Sequence, residues 1–323
     1  VTNALVFGAG GLIGSHLVKR LKAMGYWVRA VDIKEPEFSK SPADEYLLLD
    51  LTDYESVKKS ISLHGHPFDE IYQLAADMGG AEYIFVGDND TNIMTNSVQI
   101  NLNLIKAILE LGMYSSKIFY SSSACIYPEE AQLDSSIVNL VETAAYPANP
   151  DSEYGWEKLF SERLFSALHK NYGVPVRIAR FHNVFGPEGT WTGGKEKAPA
   201  AICRKIASAN WGTEVEIFGD GEQLRSFLFI EDALDGIYAL MKSECVLPVN
   251  IGSDMPVTIN QLFDIVADIA GKRLKKKHIP GPTGVVARNS ENTFVFQQTG
   301  WKPKTPLARG LEKTFWWIAD QIT

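Results

Sequence analysis

An α/β fold, a doubly wound parallel sheet carrying a smaller C-terminal α/β lobe, follows from three features of this 323-residue chain. Short apolar runs alternate with helix-length segments from the start to about residue 181, the pattern of a parallel sheet covered on both faces. A glycine-rich turn, Gly8-Ala9-Gly10-Gly11-Leu12-Ile13-Gly14, separates the first run from the first helix-length segment. Beyond residue 181 the alternation loosens into Gly/Pro-rich sequence. Two parts are expected: residues 1–181 as the sheet domain, and 182–323 as a mainly ligand-facing lobe with some segments returning to the first.

Taken in order, Leu5-Val6-Phe7, Trp27–Val31, Tyr46–Leu49, Ile71–Leu74 and Ile118–Tyr120 read as buried strands, because each is a brief apolar run bounded by polar or turn residues. Val174–Phe181 supplies a sixth strand after a helix that carries Tyr154 and Lys158. The Gly186–Gly194 stretch reads as a loop. After it come a helix near Ala198–Ser208, a short strand near Val215, and helices near Glu231 and Ile259.

Composition removes several classes. A net charge of −8 argues against nucleic acid as the partner, since such proteins present a basic face. The cationic run Lys272–Lys277 lies at an expected helix end and reads as a solvated patch. No apolar run approaches the roughly 18 to 20 residues of a membrane span, and Val1 opens into strand-like sequence without a leader pattern, so a soluble, cytoplasmic protein is expected. Cys125, Cys203 and Cys245 are odd in number and far apart, which suits reduced thiols and gives no zinc spacing; no metal is expected.

The glycine turn has a specific use. Glycines at 8, 11 and 14 let the chain turn tightly, let backbone approach a pyrophosphate, and let helix and strand pack closely, with Gly10, Leu12 and Ile13 completing the turn. Asp32 ends the second strand, where a carboxylate accepts from both ribose hydroxyls and repels a 2′-phosphate. The turn and Asp32 together predict a Rossmann-type dinucleotide site that selects NAD. Asp50 and Leu51, after the third strand, are expected near the adenine, although an aspartate there also serves as a helix cap.

Tyr154 and Lys158 stand four residues apart, about one helical turn, so phenol and ammonium share a face. A nearby cation favours phenolate, which suits tyrosine to take a hydroxyl proton while hydride leaves. Ser123, in Ser121-Ser122-Ser123-Ala124-Cys125-Ile126-Tyr127-Pro128, is placed to hydrogen-bond the same hydroxyl. Cys125 adds a thiol beside a hydride-transfer site. An unpaired cysteine at a strand end is ordinarily a small buried hydrophobe. Cys203 and Cys245 have no supporting context and read as structural.

Together the glycine turn, Asp32, Ser123, Tyr154 and Lys158 resemble the extended short-chain dehydrogenase/reductases, over nearly the whole chain and nearest to the members acting on nucleotide sugars. Leu74-Ala75-Ala76-Asp77-Met78-Gly79-Gly80, the Ser122–Pro128 string, Arg180-Phe181-His182-Asn183, Gly193–Ala201, Gly219-Asp220-Gly221, Arg225-Ser226-Phe227 and His278–Pro282 are similar to the GDP-mannose 3,5-epimerase family. That resemblance implies a GDP-sugar substrate, oxidised at C4 through Tyr154, Lys158 and Ser123. The C3 and C5 hydrogens, acidified by the ketone, would be exchanged by Cys125 as base and Lys197 as acid. Final return of hydride makes the cycle redox-neutral, with NAD retained throughout.

The resemblance further implies cofactor contacts at Leu74, Ala75 and Ala76, and substrate contacts at Gly79, Ser123, Ala124, Cys125, Asn183 and Lys197. Lys205, Arg225 and Arg288 are expected near the GDP, because guanidinium and ammonium groups hold phosphate oxygens, with Gln223 nearby. A homodimer through helices near 92–111 and 152–172 is implied as well. Phe7, where many relatives carry threonine, and the stretch Glu82–Thr95 depart from the pattern. Alternatives are a GDP-fucose synthase-like epimerase/reductase, opposed by Asp32 and Lys197; a plain 4-epimerase or 4,6-dehydratase, opposed by Cys125; and a non-catalytic NAD-sensing regulator, opposed by the retained Tyr154 and Lys158.

Overall fold

The apolar runs become the strands of one seven-stranded sheet in a computed structural model, which describes residues 1–63, 66–134, 136 and 139–322. Its strands are β1 (Asn3–Phe7), β2 (Trp27–Asp32), β3 (Glu45–Leu48), β4 (Glu70–Gln73), β5 (Lys117–Ser123), β6 (Val176–Phe181) and β7 (Val249–Ile251). They lie in the order β7-β6-β5-β4-β1-β2-β3, every pair parallel. The seventh strand escaped the sequence reading. At three residues, Val249-Asn250-Ile251 carries too little pattern to stand out, and only pairing with Ala179–Phe181 makes it a strand.

Parallel strands need crossovers, and helices supply them. The helices are α1 (Leu12–Ala23), α2 (Tyr54–Ser60), α3 (Ala81–Phe85), α4 (Asp90–Leu111), α5 (Glu153–Tyr172), α6 (Ala198–Ser208), α7 (Ile230–Lys242), α8 (Ile259–Ala270), α9 (Thr293–Thr299) and α10 (Leu307–Ile322). Alternation along β1 divides the core: Leu5 and Phe7 pack with Leu104 of α4 and Phe165 of α5, whereas Val6 packs with Leu17 of α1 and Ile237 of α7. The second cluster runs on without a break into Ile202, Leu262 and Phe315 of α6, α8 and α10. Sheet and lobe therefore share one core.

The lobe sits where the chain leaves the sheet. Glu214–Phe218 pairs in parallel with Lys275–Ile279, and Leu224–Ser226 pairs with both Pro256–Thr258 and Ala287–Ser290. The lysine run is half structural. Lys276 and Lys277 meet Asp264 and Glu216 at the surface, while Lys272 Nζ donates to the carbonyls of Ile206, Ala207 and Ala209 at the end of α6.

Helix α5 is firmly delimited. Ser152 Oγ accepts from the Gly155 amide at 3.2 Å at its start, and Gly173 in the left-handed region, φ 72°, ends it. A buried ion pair between Glu162 of α5 and Arg180 of β6, at 2.8 Å, also takes Ser122 Oγ of β5 at 2.5 Å. Three elements are thus tied together just behind the strand ends. No helix among the described residues is long and apolar enough to cross a membrane.

Candidate active site

Strand order reverses between β1 and β4, and the crevice beyond the carboxyl ends there is where open α/β sheets bind ligands. Gly8 leaves β1 with φ 79°, and a Cβ on it would stand 2.7 Å from the Ala75 amide nitrogen. A Cβ on Gly14 would stand 2.1 Å from the Gly8 carbonyl oxygen, so α1 could not approach β1 as closely with any other residue. The cap of α1 is Gly11, with no side-chain hydrogen bond and no acidic residue in the first turn. Its amides are therefore left for an anion.

Asp32 ends β2 beside this turn, accepting from the Gly10 amide at 2.9 Å and the Lys34 amide at 3.2 Å. Leu74 donates its amide to Phe7 at 3.1 Å, and Gln73 holds Ala75 through both its amide and its carbonyl, which sets residues 74–76 against the glycine turn. Asp50 is exposed and accepts from the amide and hydroxyl of Thr52, a local turn ahead of α2; the Leu51 side chain is buried in the core. Only the backbone of Leu51 is left to face a ligand.

The chemistry-bearing residues line one cavity of 340 Å³, whose walls include Ser123, Cys125, Tyr154 and Lys197. Tyr154 is buried. Burial pushes the phenol well above its ordinary range, Cys125 and Glu157 add to this, and the hydrogen-bonded Ser123 hydroxyl works the other way. Lys158 Nζ donates to the Ser121 carbonyl at 3.1 Å and lies 5.6 Å from the centre of the Tyr154 ring. Burial lowers the Lys158 ammonium, and the adjacent Glu157 at 3.9 Å opposes it.

Cys125 follows β5 in a single turn of 3₁₀ helix, its amide donating to Ser123 Oγ at 3.2 Å. Arg288 donates from Nη1 to the sulfur at 3.0 Å, from Nη2 to Asp151 at 2.8 Å, and from Nε to Gln132 at 2.6 Å. A guanidinium, itself paired with Asp151, is thus fixed against the thiol. Lys197 caps α6 and shares the cavity; burial lowers its ammonium, with Cys125 acting in the opposite sense. A lysine held low gives up a proton readily.

Two glycines that sequence reading passed over hold this pair in place. A Cβ on Gly155 would stand 2.2 Å from the Cys125 carbonyl oxygen, and one on Gly80 would stand 2.2 Å from that of Glu196. Gly155 therefore lets α5 abut the thiol's turn, and Gly80, whose amide donates to Lys195 at 3.0 Å, lets residues 79–80 abut the segment bearing Lys197. Nothing in their spacing announces either role. Gly79 lines the cavity, and a Cβ on it would stand 2.6 Å from the Tyr83 side chain, so packing against that ring by itself requires a glycine.

The same cavity is lined by Asn183, Lys205, Gln223 and Arg225. Asn183 is in the left-handed region, φ 47°, and donates to the Ser226 carbonyl. Lys205 Nζ donates to the Glu216 carbonyl at 2.9 Å, and Gln223 Oε1 is buried with no partner among the described residues. Arg225 is held by the carbonyls of Leu224, Thr283 and Val285; burial first, then Arg288, push it down to about 9. An arriving diphosphate would relieve that. Arg288, expected near the GDP, lines the same cavity with Nη1 against the sulfur, and Ala124 is buried.

The chain matches the NAD dependent epimerase/dehydratase family over residues 4–252. It belongs to that family. GDP-mannose 3,5-epimerase of Arabidopsis thaliana is 44% identical over 98% of this chain and 82% of its own length, and GDP-mannose 3,5-epimerase 1 of Oryza sativa subsp. indica is 42% identical over the same shares. Among solved structures, UDP-glucose 4-epimerase from Thermotoga maritima with UDP-glucose superposes with a TM-score of 0.87 at 25% identity, covering 100% of both chains. The UDP-glucose 4-epimerase of Thermus thermophilus in complex with NAD gives 0.85 at 21%, over 98% of this chain and 99% of that one, a likeness of fold. NAD, the cofactor in the family's description, fits the glycine cradle, the uncapped α1 and Asp32.

Proposed function

We propose that this member of the family interconverts GDP-mannose and GDP-L-galactose, with GDP-L-gulose formed where C5 alone inverts. The observation that carries the reading is one cavity lined by Tyr154, Cys125 and Lys197, in a chain 44% identical to a GDP-mannose 3,5-epimerase. NAD, when bound, would supply a hydride acceptor and donor for C4. Tyr154, with Ser123 on the same hydroxyl and Lys158 beneath, takes the C4 hydroxyl proton and later returns it. The resulting ketone acidifies C3–H and C5–H, because the carbanion is delocalised as an enolate. Cys125, with Arg288 against it, removes the proton, and Lys197 delivers one to the opposite face. Arg225 and Lys205, with Asn183 and Gln223, hold the GDP. In deuterated water with GDP-mannose and no added cofactor, deuterium is expected at C3 and C5 of recovered sugar nucleotide by mass spectrometry and NMR; absence of exchange rules the epimerase reading out.

We assign a homodimer to the α4 and α5 face. Leu102, Trp156 and Phe160 are exposed there, 39% to 48% for the last two, an apolar patch on paired helices. Phe160→Asp is expected to convert the protein to a monomer in sedimentation velocity; a wild-type monomer would refute the assignment. Three free thiols suit a reducing compartment, and we place the protein in the cytoplasm.

A further inference from the structure

A redox-neutral cycle works only while the cofactor stays, so the segments that close over the glycine turn bear on the chemistry. Glu188, on the loop after β6, has φ 62°, a left-handed conformation that is costly for a residue other than glycine. Such strain persists where surrounding contacts over-determine it. Its carboxylate accepts from Lys19 Nζ of α1 at 2.5 Å and from Ser39 Oγ, on the connection from β2 to β3, at 2.9 Å. Three segments far apart in sequence meet at this one group. Gly11, Leu12, Lys34, Phe38, Glu188 and Thr190 line a single small crevice, and the space beside Gly189 is filled by Leu12 at 3.5 Å. The loop therefore lies against the start of α1, where a dinucleotide's pyrophosphate sits.

We propose that Glu188, gripping Lys19 and Ser39, is a clasp that closes the loop after β6 over the cofactor's pyrophosphate and slows its release. A bare carboxylate there would repel a diphosphate. Lys19 removes that objection: burial opposes ionisation of Glu188, yet the hydrogen bonds from Lys19 and Ser39 hold its carboxyl below the usual range, as a neutralised pair. The clasp acts on positioning and retention and touches no reacting atom.

The inference rests on NAD as the bound dinucleotide, so the experiment reads NAD itself. Release from the full chain is followed by chasing bound NAD with excess isotopically labelled NAD. Glu188→Ala is expected to release it about tenfold faster and Ser39→Ala a few-fold faster, since an interface contact is felt mainly in dissociation. Ser39→Ala leaves the strained residue untouched and decides the matter if Glu188→Ala folds poorly, which melting of the NAD-free proteins reports. Unchanged or slower release in Ser39→Ala and in folded Glu188→Ala overturns the clasp. Wild-type protein that binds no NAD would instead overturn the cofactor assignment.

Discussion

Tyr154→Phe is expected to lower turnover of GDP-mannose by roughly 10²- to 10⁴-fold, the contribution of a positioned acid/base group. The ring is buried between Ile84 and Ile93 and beside Lys158, so phenylalanine keeps the packing and removes only the oxygen. On the mechanism proposed above, what is lost is the group that receives the C4 hydroxyl proton. Every later step depends on the C4 ketone, so reduced-nicotinamide absorbance on adding substrate, solvent deuterium exchange and product formation should fall together. Retained exchange at C3 or C5 in Tyr154→Phe would mean that the ring protons move without prior oxidation, and the assignment of Tyr154 would fail.

Cys125→Ser should separate what Tyr154→Phe loses jointly. A hydroxyl fits where the sulfur was, but it is a far weaker acid than a thiol and does not ionise usefully near neutral pH. The reduced-nicotinamide signal should persist while deuterium incorporation and epimerised product fall by roughly 10²-fold or more. An unchanged exchange rate would remove Cys125 from the role of base and leave it a packing residue. The split matters because Cys125 and Tyr154 share a cavity: a variant that merely disturbed the site would depress both signals.

Much of the sheet could be read along the chain because parallel strands buried on both faces are mostly apolar runs: Leu5–Phe7 and Ile118–Tyr120 are such runs, and Val28–Val31 is one interrupted only by Arg29. The glycine turn was legible because its signal is local: Gly8 needs a left-handed backbone, φ 79°, and Gly14 is forced by the Gly8 carbonyl six residues back, so the spacing itself forms a motif. By contrast Val249–Ile251 is defined by its neighbour β6, and Gly80 and Gly155 are required by carbonyls of Glu196 and Cys125, distant in sequence. A glycine demanded by a remote backbone leaves no periodicity and no motif. Arg288 shows the same limit from the side of charge, since a sequence marks it as a cation without saying that Asp151, Gln132 and Cys125 take its donors.

From its order of residues alone this protein was bound to form a parallel sheet with a dinucleotide turn, and to bring Tyr154 and Lys158 onto one face of a helix, because those relations are local and follow from the geometry of strand, turn and helical repeat. The company that Cys125 keeps was decided only in three dimensions. Lys197 comes to it from the far lobe across the Gly80 contact, Arg288 from a strand of that lobe, and α5 from the side through Gly155. Those partners are set by packing between segments distant in the chain, and a shared core that runs unbroken from sheet to lobe is what holds them there.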